Sequence, residues 1–308
     1  MARKKTRDER EAASPPKEPR RGPTRAAFVL LAVLALGGLA LYRAQSRAVK
    51  RDPKLSVLLI TIDTLRADAL GIYGGQAETP WIDRLAREGV RFETAHAHNV
   101  VTFPSHANIL SGQLPLIHGA HDNTGFRFPA EMPTLATRLK ALGFKTAAFV
   151  SAFVLDSRFG LDRGFDLYDD RTTGIESQSP FRVPDRLGPE TVAAAKAWLD
   201  AQGDSQFFAW VHLYDPHYPY IPAEPFKSRY AKEPYFGEVA AVDASLGRIL
   251  EPLLDGPRKD NLLVIFTSDH GESLGEHQES THGIFAYEST LRVPLILWSP
   301  LLRSEVIK

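Results

Sequence analysis

Short apolar runs alternate with longer amphipathic runs along the chain from Leu55 onward. The short runs predict strands at residues 56–63, 145–151, 206–214, 261–269 and 293–299. The amphipathic runs predict helices from Pro80 to Gly89 behind an N-cap at Thr79, from Pro133 to Leu142, from Pro189 to about Ala201, and from Tyr235 to about Leu254. This alternation predicts an α/β fold with a mainly parallel central sheet and helices on both faces.

The first 54 residues have a different pattern. Residues 1–25 are charged, contain proline and lack apolar periodicity, which predicts a disordered basic tail. Residues 26–42, AAFVLLAVLALGGLALY, carry no charge and would extend about 25 Å as one transmembrane helix, the lower limit for crossing a bilayer. Residues 43–54 are predicted to link this helix to the body of the protein at 55–308.

The charges around the apolar stretch predict its orientation. Nine Lys and Arg residues precede it, so the positive-inside rule predicts a single-pass signal anchor with a cytoplasmic N-terminus and a periplasmic or extracellular body. A cleaved signal peptide is the alternative interpretation.

Composition restricts the class of the body. Residues 1–54 hold 14 of the 37 Lys and Arg but 5 of the 37 Asp and Glu, so the rest of the chain has nine more acidic than basic residues. A body of this charge argues against binding nucleic acid, which needs a basic surface. The chain contains no cysteine, so the body is not held together by disulfides.

Acidic residues and histidines follow three of the predicted strands. The first strand ends at Asp63, the fourth runs into Asp269 and His270, and the third runs into HLYDPHYPY with His212, Asp215 and His217. Open α/β sheets place ligands at the carboxyl ends of their strands. Oxygen and imidazole ligands that converge from separate elements are what a divalent cation needs.

A further motif, VTFPSHANILSG, runs from Val101 to Gly112. Pro104 suits the first turn of a helix, which puts Thr102 at a helix N-terminus, where the dipole and unpaired N–H groups favour an anion. A plain N-cap is the alternative role for Thr102.

This motif and five further blocks resemble the N-terminal catalytic domain of the sulfatases, within the alkaline phosphatase superfamily. The motif continues to Pro115 and His118-Gly119, and the blocks are IDTLRADALG, GFDLYDD at 164–170, DPHYPY at 215–220, SDHGESLGEH at 268–277, and Tyr287 to Pro294. The resemblance covers about Lys54 to Ser299 and implies an alkaline phosphatase-like fold. Because sulfatases continue beyond this point, it also implies a domain truncated at its C-terminus.

Two residues depart from the sulfatase signature. Thr102 stands where sulfatases have the Cys or Ser that becomes formylglycine, and His106 replaces the signature arginine. Threonine does not give that aldehyde by the usual oxidation. Threonine at this position resembles instead the nucleotide pyrophosphatases and the phosphoethanolamine and phosphoglycerol transferases, which attack phosphorus with a threonine alkoxide.

The resemblance assigns Asp63, Asp269 and His270 as ligands of a divalent ion, Ca, Mg, Mn or Zn, with Thr102 Oγ completing the set. The metal would stabilise the alkoxide form of the threonine. His217, His282 and His106 are candidates for binding the anion or protonating the leaving group, and His282 falls about where sulfatases have a substrate-binding lysine. The remaining residues of this kind are interpreted as structural: His118, His121, His212 and His277, with Arg66 and Asp68 as a local pair that shapes a turn.

The sequence therefore predicts a membrane-anchored, metal-dependent sulfatase-family hydrolase of sulfuric or phosphoric esters with a Thr nucleophile. The expected substrate is a sulfated or phosphorylated small molecule, glycan or lipid headgroup. A phosphoethanolamine- or phosphoglycerol-type transferase or a phosphodiesterase is one alternative, and a non-catalytic sulfatase-like binding protein is another.

Overall fold

A computed structural model describes residues 54–172 and 185–308, which build one eight-stranded sheet of order β4-β3-β5-β1-β6-β7-β2-β8. The strands are β1 Ser56–Ile62, β2 Val90–His96, β3 Lys145–Phe149, β4 Leu167–Asp169, β5 Phe207–Leu213, β6 Leu262–Ser268, β7 Arg292–Trp298 and β8 Glu305–Ile307. All five predicted strands are present, each within a residue or two of its predicted bounds.

Eight α-helices lie in the described part of the chain. They are α1 Pro80–Glu88, α2 Thr102–Ser111, α3 Pro115–His118, α4 Leu135–Ala141, α5 Gly188–Asp200, α6 Phe226–Arg229, α7 Pro234–Asp255 and α8 Glu288–Leu291. The four helices expected between the strands are α1, α4, α5 and α7. Short 3-10 helices lie at Ala67–Ala69, Gly71–Tyr73, Phe153–Leu155, Ser157–Phe159, Lys259–Asn261 and Glu276–Gln278.

The sheet is mainly parallel, as predicted. Among the described strands only β7 runs against its neighbours, pairing antiparallel with both β6 and β2. The three strands that the sequence pattern missed are β2, β4 and β8. Two of them have only three residues, and β2 has polar and partly exposed side chains on both faces, so no apolar run marks them and pairing with a neighbour defines them.

Helices cover both faces of the sheet, because the strand side chains alternate between two buried clusters. One cluster joins Leu58, Ile60 and Ile62 of β1 to α1, α5 and α7. The other joins Leu59 of β1 and Trp210 of β5 to α2 and α4. Since Asp63 continues the alternation of Leu59 and Thr61, its side chain is directed toward the face covered by α2.

Helices α1 and α7 are joined by a buried polar contact and a close approach. Thr79 occupies the N-cap position of α1 but its side chain makes no capping bond. Asp243 of α7 takes that role, since its carboxylate accepts from Ile82 N at 2.8 Å and Trp81 N at 3.2 Å. One turn further along α7, a methyl group at Gly247 would lie 2.3 Å from Trp81 Nε1.

The basic tail, the anchor at 26–42 and nearly all of the linker lie outside the described residues. No helix within 54–172 and 185–308 is both long enough and apolar enough to cross a membrane. The membrane anchor therefore stays a prediction from the sequence.

Substituting Gly247→Ala is expected to lower the free energy of unfolding by about 1–3 kcal/mol, because the methyl group overpacks the contact with Trp81. In a Trp81→Leu background the same substitution is expected to raise it by roughly 0.5–1 kcal/mol, since alanine is the better helix former. Urea denaturation of the full-length chain measures both changes. A substitution that stabilises the chain in both backgrounds would contradict the packing described here.

Candidate active site

The pairing of β1 with β6 places two carboxylates side by side. Ile62 is in register with Ser268, so the next residues, Asp63 and Asp269, leave the sheet together at its carboxyl edge. Both side chains are fully buried, and so is that of His270. The close approach of Ser289 requires glycine after the histidine, because a Cβ on Gly271 would lie 2.2 Å from Ser289 O.

One atom of each side chain is bonded to the protein and another is left without a partner. Asp269 Oδ1 accepts from His270 N at 2.8 Å and Thr64 N at 3.3 Å, and His270 Nδ1 donates to Gly271 O at 3.0 Å. The atoms without a hydrogen-bond partner are Asp63 Oδ1, Asp269 Oδ2 and His270 Nε2. His270 Nε2 lies 3.8 Å from Asp63 Oδ1 and 3.4 Å from Asp269 Oδ2.

These residues fit a divalent cation. The three ligand atoms lie within 4.8 Å of one another, and two adjacent buried carboxylates are unfavourable without a positive charge between them. Accordingly, burial and then the charge of Glu272 raise the pKa of Asp63 to about 7, although the charge of His282 opposes them. Burial and then the charge of Asp63 raise the pKa of Asp269 well above its ordinary range. Burial holds the pKa of His270 well below its ordinary value, which keeps Nε2 available as a neutral ligand.

Thr102 is the first residue of α2 and lies beside this cluster. Its Oγ1 donates to Asp63 Oδ2 at 3.3 Å, so the structure brings together all four predicted metal ligands. The expectation of free N–H groups at this helix end is wrong for the three residues that follow. Phe103 N donates to Asn123 Oδ1, Ser105 N donates to Val101 O, and Pro104 has no N–H.

His106 lies beside the cluster, with Nδ1 3.7 Å from Asp269 Oδ2, and both of its ring nitrogens are bonded within the protein. Its side chain is fully buried. Nδ1 donates to Thr102 O at 2.8 Å, and Nε2 accepts from Thr61 Oγ1 at 3.1 Å. Burial lowers its pKa well below the ordinary value. The geometry therefore does not support the predicted role of His106 in anion binding or leaving-group protonation. Its hydrogen bond to the Thr102 carbonyl positions the Thr102 backbone instead.

His212 was interpreted as structural, yet it lies at the cluster. It is fully buried on β5, and its Nε2 is 3.6 Å from Asp63 Oδ2. Ser151 N donates to its Nδ1 at 3.4 Å, so Nε2 carries the proton and faces Asp63. Burial lowers its pKa to about 3. Because His212 sits inside a strand, only the parallel pairing of β1 with β5 reveals its proximity.

His282 lies over His270 and forms an ion pair with Glu272, a residue that the sequence reading did not single out. The two imidazole rings are 4.5 Å apart between centroids. His282 Nδ1 donates to the buried Glu272 Oε1 at 3.1 Å. Burial lowers the pKa of His282, but the hydrogen bond and charge of Glu272 outweigh burial and raise it. His282 is therefore placed to present a cationic Nε2–H.

His217 lies next to His282, with 5.1 Å between ring centroids, and stacks on Tyr214. Its Nδ1 donates to Tyr218 O at 2.8 Å, which leaves the Nε2 lone pair free. Burial and then the charge of His282 lower its pKa to about 3. A neutral His217 with its proton on Nδ1 offers a hydrogen-bond acceptor at Nε2, and its part in anion binding or leaving-group protonation stays a prediction.

A cavity of about 550 Å³ lies between α2 and strands β6 and β7. Of the four predicted ligands, Asp269 alone lines it. His118 packs against Asn108 near the far end of α2, His121 against Phe126, and His277 stacks on Tyr287. None of these three contacts involves the cluster.

Known proteins resemble this chain in sequence and in fold. A family model described as Sulfatase matches residues 56–307. The ulvan-active sulfatase of Formosa agariphila is 26% identical over 300 residues, which cover 80% of this chain and 56% of the relative. Human N-acetylgalactosamine-6-sulfatase is 27% identical over 298 residues, covering 80% and 57% respectively. This chain thus spans a little over half the length of these relatives.

A solved structure has the same fold. The phosphonate monoester hydrolase of Agrobacterium radiobacter matches with a TM-score of 0.67 and 21% identity, over 80% of this chain and 68% of that chain. At this identity the match supports the alkaline phosphatase-like fold alone.

Divalent metal binding is expected to strengthen as pH rises, because the raised pKa of Asp63, about 7, and that of Asp269 mean that protons occupy the site at lower pH. Between about pH 6 and pH 8 the affinity for Mn²⁺ should rise by up to about tenfold per pH unit for each proton released. Calorimetric titration of the full-length chain at several pH values measures this, with Asp269→Asn expected to abolish binding. Equal affinity at pH 6 and pH 8 would argue against the site.

Proposed function

This chain belongs to the sulfatase family, and we propose that it is a divalent-metal-dependent hydrolase of sulfuric or phosphoric esters with Thr102 as nucleophile. The observation that carries the proposal is the convergence of unpartnered atoms of Asp63, Asp269 and His270 next to the Thr102 hydroxyl. Buried charge of this kind is unfavourable unless it serves a ligand.

Thr102 attacks the sulfur or phosphorus atom of the ester. A bond forms between Thr102 Oγ1 and that atom, and the bond to the leaving-group oxygen breaks. The hydroxyl proton passes toward Asp63 Oδ2, its present acceptor at 3.3 Å. A bound divalent ion supplies Lewis-acid stabilisation of the negative charge that develops during attack. Water then cleaves the Thr102 ester and restores the hydroxyl.

His282 protonates the leaving-group oxygen. Its Nδ1–H is held by Glu272, so Nε2–H is the end available to the leaving group. The pair with Glu272 keeps the imidazole protonated before attack, which general acid catalysis requires. His217 presents a lone pair at Nε2 and is suited to accept a hydrogen bond from a substrate hydroxyl or from the attacking water.

The charge of the site favours a singly charged ester. Asp63, Asp269 and Glu272 contribute three negative charges, which a divalent ion and protonated His282 balance. A sulfate monoester, phosphonate monoester or phosphate diester carries one negative charge at its reacting group, whereas a phosphate monoester carries two. Because the charges of the site already cancel, each negative charge of the ester adds to it without compensation, and a doubly charged ester is more unfavourable there than a singly charged one.

The nucleophile favours phosphorus over sulfur. Threonine replaces the residue from which sulfatases make formylglycine, and no cysteine is present. Similarity to the ulvan-active sulfatase and the N-acetylgalactosamine-6-sulfatase favours a sulfated glycan as the substrate. The alternative substrates, phosphorylated glycans and lipid headgroups, suit a phosphodiesterase or a phosphoethanolamine-type transferase.

Thr102→Ala is expected to lower turnover of bis(4-nitrophenyl) phosphate by about 10³-fold or more, because the nucleophile is lost. Thr102→Ser should keep part of the activity. Ser111→Ala removes a hydroxyl from the other end of the same helix and should leave it unchanged. Rates are measured on the full-length chain with Mn²⁺, alongside 4-nitrophenyl sulfate and 4-nitrophenyl phosphate.

Each outcome of this panel has a meaning. Activity that survives in Thr102→Ala overturns the nucleophile. Turnover of 4-nitrophenyl sulfate alone overturns the preference for phosphorus. No turnover of any ester by the metal-loaded wild type favours the non-catalytic binding protein. A mass increase on the Thr102 peptide during turnover supports the covalent step.

The membrane anchor completes the proposal and rests on the sequence alone. Residues 26–42 are apolar and follow nine basic residues, which favours a single pass with residues 55–308 on the periplasmic or extracellular side. In sealed right-side-out vesicles, added protease is expected to degrade this part of the chain. Its protection there would contradict the orientation.

A further inference from the structure

The guanidinium of Arg66 joins the turn after β1 to the segment after β6. Its Nε and Nη2 each donate to one oxygen of Asp68 at 2.8 Å. Its Nη1 donates to Glu272 O at 3.1 Å and to Glu276 Oε1 at 2.5 Å. Arg66 is three residues beyond Asp63, and Glu272 is two residues beyond His270, so this single side chain connects the two turns that carry the metal-ligand cluster.

Two bonds pass this constraint on to His282. Glu272 Oε1 accepts from His282 Nδ1 at 3.1 Å. Ser273 N donates at 2.7 Å to the carbonyl of Thr281, the residue before His282. Arg66 therefore fixes the carbonyl of Glu272. The side chain of Glu272 and the amide of Ser273 in turn fix His282 and the residue before it. His282 itself makes no bond to Arg66 among the contacts of the described residues.

The segment between these points needs external support. Leu274, His277 and Gln278 have φ values of 53°, 55° and 66°, in the left-handed region that non-glycine residues disfavour. The buried carboxylate of Glu279 supports the segment from within, accepting from Ile284 N at 2.9 Å and Ser273 Oγ at 3.2 Å. Arg66 supports it from outside.

The contacts of Arg66 orient the segment 272–282 more than they stabilise the fold. Its partners Asp68 and Glu276 are about half exposed, whereas the Arg66 side chain is 12% exposed. Ion pairs to exposed carboxylates add little stability. The paired bonds to Asp68 do, however, fix the plane of the guanidinium and with it the position of the donor to Glu272 O.

We propose that Arg66 is a positioning residue for His282, holding the segment 272–282 so that the imidazole keeps its place over His270. This goes beyond a local pair that shapes a turn, and it rests on the proposed function, in which His282 acts on the leaving group. Catalytic groups lose efficiency when displaced by as little as 1 Å.

A double-mutant cycle between Arg66 and His282 tests the proposal. In the full-length chain with Mn²⁺, Arg66→Ala is expected to lower kcat for bis(4-nitrophenyl) phosphate by about 10- to 100-fold. In a His282→Ala background the same change should have no further effect, because the group being positioned is gone. Arg66→Lys keeps the charge but not the fork and should resemble Arg66→Ala.

Arg84 offers a matched control. It also pairs with two carboxylates, those of Glu88 and Asp255, in contacts that involve none of the site residues. Arg84→Ala is expected to leave kcat unchanged. Independent losses from Arg66→Ala and His282→Ala, or full activity in Arg66→Lys or Arg66→Ala, would overturn the positioning role.

A readout that does not depend on turnover separates this proposal from the proposed function. Hydrogen exchange at the amides of Ser273, Gly275 and Ile284 should quicken by about tenfold or more in Arg66→Ala and not in Arg84→Ala. If the wild type hydrolyses no ester, the proposed function fails, and hydrogen exchange alone tests whether Arg66 holds the segment 272–282. Unchanged exchange in Arg66→Ala overturns the positioning role of Arg66.

Discussion

Two carboxylates buried side by side are the constraint on which the rest of the site depends. The parallel pairing of β1 with β6 sets Asp63 beside Asp269 at the edge of the sheet, away from water. Like charges so placed destabilise the fold unless a cation or protons lie between them. The raised pKa values of both carboxyls express this cost, and the unpartnered atoms that face one another define where a cation would relieve it.

The residues around this pair hold each ligand by one atom and leave another free. Thr64 N and His270 N hold Asp269 Oδ1, and Gly271 O holds His270 Nδ1. His212 faces Asp63, and His106 holds the backbone of Thr102. Buried imidazoles suit these positions because they remain neutral there and add no charge to the cluster, as their lowered pKa values require.

The open side of the site is built differently. The hydrogen bond and charge of Glu272 outweigh burial and raise the pKa of His282, and both residues belong to a segment whose backbone includes left-handed residues. Such a segment keeps its shape only through its contacts, those of Glu279 within it and of Arg66 outside it. In the proposed function the sheet edge would hold the metal, and the supported segment would contact the ester.

The sequence by itself determined the α/β class and the five apolar strands, because strand periodicity is a local feature of the chain. The resemblance to sulfatases predicted that Asp63, Thr102, Asp269 and His270 belong to one site, and the structure brings these four residues together. The charge states and orientation of the histidines were decided only by tertiary structure. The sequence predicts His106 at the substrate, but its Nδ1 is bonded to the Thr102 carbonyl. It predicts a structural role for His212, whose Nε2 faces Asp63, and no local pattern marks the contact of Glu272 with His282. The physical reason is that strand register, burial and partners from distant segments fix which nitrogen of an imidazole carries a proton and which way it points.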